Sequence, residues 1–139
     1  SVMKYRARIS GPLMDRMDIL LEVPSLDYEE LRTRAPSEPS SAVKARVDKA
    51  RAVQRARFAG TDVTCNAQMG PRQVREHCAL DAAGEALMKK AFDRLGLSAR
   101  SYDRILRVAR TVADLAGSET IQAPHLAEAI QYRTFRFET

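Results

Sequence analysis

Between Ser98 and Gly117 the apolar residues Tyr102, Ile105, Leu106, Ala109, Val112, Ala113 and Ala116 recur every three or four positions, the clearest helical period in the chain. Ser98 is placed to cap this helix and Gly117 to end it. Upstream, Gly84, Leu87, Met88, Ala91 and Leu95 form a second stripe, opened by Asp81 and closed at Gly96. A first long helix is expected from about Ser41 to Phe58. Its apolar positions are Val43, Val47, Ala50 and Val53, Ser40 or Ser41 serves as cap, and Gly60 ends it. Pro71 opens a short helix to about Ala79, and Pro124 opens a last one through Leu126, Ala127 and Ile130 to near Arg133. The stretch Thr61–Gly70 reads as a loop, with Asn66 and Gln68 as ordinary loop residues.

The first thirty residues are patterned differently. Lys4 to Ile9 alternates with a period of two, which predicts a strand. Ser10-Gly11-Pro12 is a helix start, and a short helix is expected over Leu13–Arg16. The apolar run Asp18–Val23, stopped by Pro24, predicts a buried strand. A buried strand needs neighbours on both sides, and the rest of the chain reads as helix. Residues 1–31 are therefore expected to be the orphaned end of another domain, with the chain cut from something longer. Residues 32–41, RTRAPSEPSS, form a linker by composition, and 42–139 a helical domain. The fold class expected is mainly α: a helical bundle preceded by a strand and short-helix remnant.

Composition narrows the chemistry. The net charge of +5 permits contact with phosphates or nucleic acid without requiring it. Two cysteines, Cys65 and Cys78, are too few for a disulfide scaffold and fit a reducing cytoplasm. No apolar run approaches the ~20 residues that span a bilayer, and the opening residues lack a signal-peptide pattern. There is no GxxxxGK[ST] phosphate loop and no apolar run ending in paired acids for magnesium. Nucleotide hydrolysis needs both, so the chain is expected to be inactive alone. Cys65, His77 and Cys78 at loose spacing are weak as metal ligands and read as a buried thiol with a surface histidine. No metal site is expected.

Arg16, in ISGPLMDRMD, and Arg100, in LSARSYDRIL, are each held between fixed backbone elements. By position alone an arginine at a helix end is an ordinary surface ion-pair residue. Arg100 adds its charge to the positive end of a helix dipole, and both favour an anion. Lys44, Arg46, Lys49, Arg51, Arg55 and Arg57 share the first long helix with one acid, Asp48. They are scattered around it, which suits a solvated face or a subunit contact as well as a nucleic-acid backbone.

Three segments carry a family resemblance. YRARISGPLMDRMDI, then Ser40-Ser41 followed by VKARVDKARAVQRARF, then LSARSYDRILRVARTVADLAGSETIQAPHLAEAIQYR together resemble the magnesium-chelatase-like AAA+ ATPases of the YifB/ComM type, at matching spacing. The resemblance implies that residues 1–31 end a AAA+ core and that 42–139 are its helical lid. It implies Arg16 as an arginine finger acting on a neighbouring subunit's nucleotide. It implies Arg100 as the sensor 2 arginine, which in this group can also act across a subunit boundary. ATP and Mg²⁺ are the implied cofactors of the full-length protein, and this fragment alone is expected to bind neither. A ring-shaped homo-oligomer, a hexamer, is implied, as are DNA as a partner and work on DNA such as branch migration in natural transformation. Porphyrin metallation by a chelatase-type subunit, and a non-enzymatic helical DNA-binding module, are the alternatives. The departures, among them Met14, Met17, Lys44 and Asp103, remove no implied phosphate contact.

Overall fold

A computed structural model describes residues 2–8, 11–33 and 35–134. The described residues form eight α-helices: α1 (Val2–Ala7), α2 (Gly11–Arg16), α3 (Tyr28–Thr33), α4 (Ser40–Arg57), α5 (Pro71–His77), α6 (Ala82–Leu95), α7 (Ala99–Leu115) and α8 (Ala123–Gln131). A 3₁₀ turn, Asn66–Gln68, interrupts the α4–α5 loop. The bundle is the mainly α fold that the sequence predicts.

Helix α7 is the hub. It packs against α8, α4, α5 and the 3₁₀ turn, while α6 packs on α8. Its period places Ile105, Leu106, Ala109 and Ala113 in the core, beside Met69, Ile121 and Leu126. Ala109 and Ala113 have no exposed surface, and their small side chains let the neighbouring helices approach closely. Burying Ile105 or Leu126 stabilises the fold by ~1.5–3 kcal/mol each. The boundaries follow local chemistry. The Ser98 hydroxyl accepts the Ser101 amide at 3.2 Å and Asp81 accepts the Gly84 amide at 2.7 Å. Gly96, at φ 60°, ends α6 in a conformation that other residues adopt at a cost.

Four expectations are corrected. Residues 4–7 are helical, within α1, and Ile9 and Ser10 lie outside the described residues. A six-residue alternation is a weak signal, and the run holds the good helix formers Lys4, Arg6 and Ala7. With no partner strand beside it among the described residues, the backbone satisfies its own hydrogen bonds locally. Asp18–Val23 forms no strand either, for the same reason. Ile19, Leu21 and Val23 lie in the open, at 50%, 67% and 86% exposed, while Leu20 is half-buried.

The α4 stripe is the third correction. Val43, Val47 and Val53 are exposed, and the buried positions of α4 are Ala50 and Gln54. Its N-cap is Pro39, whose carbonyl accepts the Ala42 amide at 3.1 Å, and neither serine supplies a side-chain cap. The fourth is α3, which sequence reading left unassigned and whose last two residues fall in the expected linker. Asp27 and Glu30 form a reciprocal capping box there, with bonds of 2.8 and 3.0 Å.

Candidate functional site

Arg16 is the last residue of α2, and Arg100 lies in the first turn of α7. Both are exposed, and neither forms an ion pair among the described residues. Residues of both segments line one cleft. Met14, Asp15 and Leu20, near Arg16, and Ser98 and Ser101, which flank Arg100, line this cleft of about 210 Å³ together with Arg133, and neither Arg16 nor Arg100 is among its lining residues.

Tertiary bonds hold α2 in this position. Arg133 Nη1 donates to the Met14 carbonyl at 3.0 Å and Nη2 to the Asp15 carbonyl at 3.3 Å. These belong to the last-turn carbonyls that a helix cannot satisfy internally, so Arg133 caps α2 from another element. Arg104 of α7 pairs with Asp18, and the Leu20 amide donates to the Tyr132 carbonyl at 3.2 Å. The Nε atoms of Arg104 and Arg133 are buried without a hydrogen-bond partner. Burial, then the neighbouring Arg104 charge, pulls Arg133 below the usual guanidinium range, with Asp15 and Asp18 acting the other way. Sequence reading saw in Arg133 only a helix end and did not single out Arg104. No local signal marks either, because their partners lie far away in the chain.

The basic helix divides. Lys44 pairs with Asp48, and Arg46 with Glu38. Arg57 faces inward. Its Nη2 donates to Asp114 Oδ1 at 2.7 Å, and its Nη1 to Asp114 Oδ2 at 2.8 Å and Asn66 Oδ1 at 2.9 Å. This corrects the grouping of Arg57 with the surface cations, since its charge is spent within the fold. Lys49, Arg51 and Arg55 are exposed and form no ion pair among the described residues.

Asn66 is likewise no ordinary loop residue. It is 1% exposed. Its amide group donates to Asp114 at 2.8 Å and Thr111 at 3.0 Å, and its backbone N–H to Gln54 Oε1 at 2.9 Å. Arg110 adds a second cation 3.1 Å from Asp114. Burial alone would push the Asp114 carboxyl up. Hydrogen bonds from Arg57 and Asn66, with the charges of Arg57 and Arg110, outweigh it and hold the group below the usual carboxylate range. Gln68 closes the loop by accepting from the Thr64 amide at 2.9 Å.

Cys78 is buried, and burial pushes its thiol up to about 11, so it is not a reactive thiolate. His77 packs edge-on against Phe58 at 5.5 Å. Among the described residues no three His, Cys, Asp or Glu side chains are grouped to hold a metal ion, and no helix is long and apolar enough to cross a membrane.

Two family models cover most of the chain. The magnesium chelatase, subunit ChlI C-terminal model matches residues 37–133, and the magnesium chelatase, subunit ChlI model matches residues 1–31. The competence protein ComM of Haemophilus influenzae is 42% identical over 133 residues, 95% of this chain and 25% of the relative. The uncharacterized protein YifB of Escherichia coli is 38% identical over 132 residues, 94% of this chain and 25% of that protein. The uncharacterized protein Rv2897c of Mycobacterium tuberculosis is 32% identical over 130 residues, 94% and 26%. The chain thus spans about a quarter of the length of the curated relatives it matches. With the helical bundle and these matches together, the chain belongs to the magnesium-chelatase-like family that includes ComM and YifB.

Proposed function

We propose that this chain is the lid-bearing portion of a AAA+ ATPase, and that Arg16 and Arg100 present positive charge to a nucleotide held by other parts of the assembly. One observation carries the reading. Two exposed guanidiniums without ion pairs among the described residues sit on segments whose neighbouring residues line one cleft. Such groups suit the equatorial oxygens of a transferring phosphoryl group, where charge is spread in the transition state. Arg16 would act as the arginine finger, worth ~10³–10⁵ in rate. Arg100, at a helix N-terminus, would hold the phosphates in line as sensor 2. With their segments lining one cleft, both would address the same neighbouring subunit's nucleotide, and rotation of the lid would transmit hydrolysis around a ring. Mg²⁺ would be held by residues outside this chain.

The name of the Haemophilus relative, a competence protein, supports DNA as what this motion acts on. The family model's name supports a second reading, metal insertion by a chelatase subunit. Assembly on DNA against porphyrin metallation, assayed with full-length protein, separates them.

The decisive experiment replaces Arg16 or Arg100 by alanine in the full-length protein. Each change should lower ATP turnover by ~10³-fold or more, while the helical circular dichroism of the 139-residue chain stays unchanged. Wild-type turnover in either variant overturns that residue's role.

A further inference from the structure

A cleft of about 540 Å³ runs between α6 and the end of α8. Its floor is apolar. Leu87, Ala91 and Leu95 stand one helical turn apart along α6, and Ile130 of α8 completes the lining. Ala91 and Ile130 belong to the core, and Leu87 and Leu95 pack against it. The small Ala91 leaves a hollow in the row between the two leucines. Lys90 and Arg94 line the same cleft, four residues apart on one helix, where like charges repel. Neither forms an ion pair among the described residues, and the exposed Asp93 beside them forms none either.

Thr134 also lines this cleft, and it is the last of the described residues. The sequence continues Phe135-Arg136-Phe137-Glu138-Thr139, which places two of the chain's four phenylalanines directly beyond the cleft's own lining. In an extended backbone, residues two apart share a side and lie ~7 Å from each other. That spacing is close to the ~5–6 Å between successive turns on one helix face. Phe135 and Phe137 therefore match the row Leu87, Ala91 and Leu95 in both spacing and character.

We infer that residues 135–139 fold back as a strap into this cleft of their own copy, with both phenyl rings on the apolar floor. Arg136 and Glu138 then face outward, Arg136 beside Asp93 and Glu138 beside Lys90 and Arg94, so that each charge meets its opposite. The segment starts at a residue that already lines the cleft, so its effective concentration there is high. Leu95 lines the neighbouring cleft as well, together with Ser98 and Arg133. The strap thus anchors the chain straight after Arg133, whose guanidinium holds the end of α2, and braces the turn that leads into α7. The inference does not depend on the ATPase reading, and its test needs no nucleotide.

The chain contains no tryptophan, so Phe137→Trp places a single reporter in the 139-residue chain. Its emission should be blue-shifted and shielded from acrylamide, to the same degree at every protein concentration. Leu87→Glu, which sets a charge on the floor, should shift the emission to the red and expose the ring to quencher. Lys90→Glu, at an exposed position, should loosen the strap in the same way, and adding Glu138→Lys should restore it. Without the reporter, Phe135→Ala combined with Phe137→Ala should lower the thermal midpoint by ~4 °C or more while the helical signal stays unchanged. In the full-length protein the amides of residues 135–139 should exchange more slowly than in its Leu87→Glu variant. A freely quenched tryptophan together with a midpoint indifferent to loss of both rings overturns the inference. A blue shift that grows with protein concentration also overturns it, by seating the segment on a second copy. Equal exchange in the two full-length proteins does the same, by giving the cleft to another part of that protein.

Discussion

Arg133 donates a hydrogen bond to the carbonyl of Met14 at 3.0 Å, joining residues 119 positions apart. This bond, with its partner to Asp15, fixes the end of α2 from which Arg16 projects. On the function proposed above, Arg133 is thus a positioning residue for Arg16. Arg133→Ala in the full-length protein should lower ATP turnover by ~10- to 100-fold with little change in KM, the penalty expected of a misplaced group. Arg133→Lys should recover part of it. Loss of substrate affinity alone, with kcat intact, would show that α2 does not depend on this cap.

The Arg57–Asp114 pair supports the α4–α7 contact. The Asp114 side chain is fully buried, and Arg57, Arg110 and Asn66 all converge on it. Asp114→Asn leaves two cations without their counter-charge, and should cost ~3–5 kcal/mol. Chemical denaturation of the 139-residue chain reads this directly. A loss below ~1 kcal/mol would mean that solvent reaches the site on unfolding of α4 alone.

Asp114 also sets an acid limb of stability. Its folded pKa lies below its unfolded value, so its contribution is complete above the ordinary carboxylate value of ~3.9. That contribution is lost as pH falls through the lower folded value. Denaturation midpoints should therefore hold through neutral pH and fall below pH ~4. In Asp114→Asn that part of the acid limb should disappear. An identical limb in both proteins would assign it to other carboxylates.

Leu126 and Val53 both lie on apolar stripes read from the sequence but in different surroundings. Leu126 is wholly buried and Val53 is 43% exposed. Leu126→Ala should cost ~2–5 kcal/mol through lost burial and the cavity left behind. Val53→Ala should stay within ~0.5 kcal/mol, because alanine's helix propensity offsets the small area lost. Equal costs would contradict the placement of α4.

What could be read in the sequence was local. Ser98, Asp81, Gly96, Pro71 and Pro124 act within one turn of the backbone, and α5 to α8 begin and end close to where these residues require. The D-x-x-E box of α3 was equally local and could have been found by the same rule. The same local signals placed Arg16 and Arg100 at their helix ends, and the resemblance added only their implied roles.

Tertiary packing decided the rest. Burial depends on where a helix is covered, which the 3.6-residue period does not encode, so Val43 and Val47 stayed in the open while Gln54 went inside. A strand depends on hydrogen bonds from another strand, so the apolar run after Asp18 had no means of becoming one here. Arg57 found Asp114 57 positions away and Arg133 found Met14 across nearly the whole chain. The sequence by itself determined the helices and their ends, because those bonds close over three or four residues. Only the folded bundle determined which charges are neutralised inside and which remain exposed, because that depends on groups brought together from distant parts of the chain.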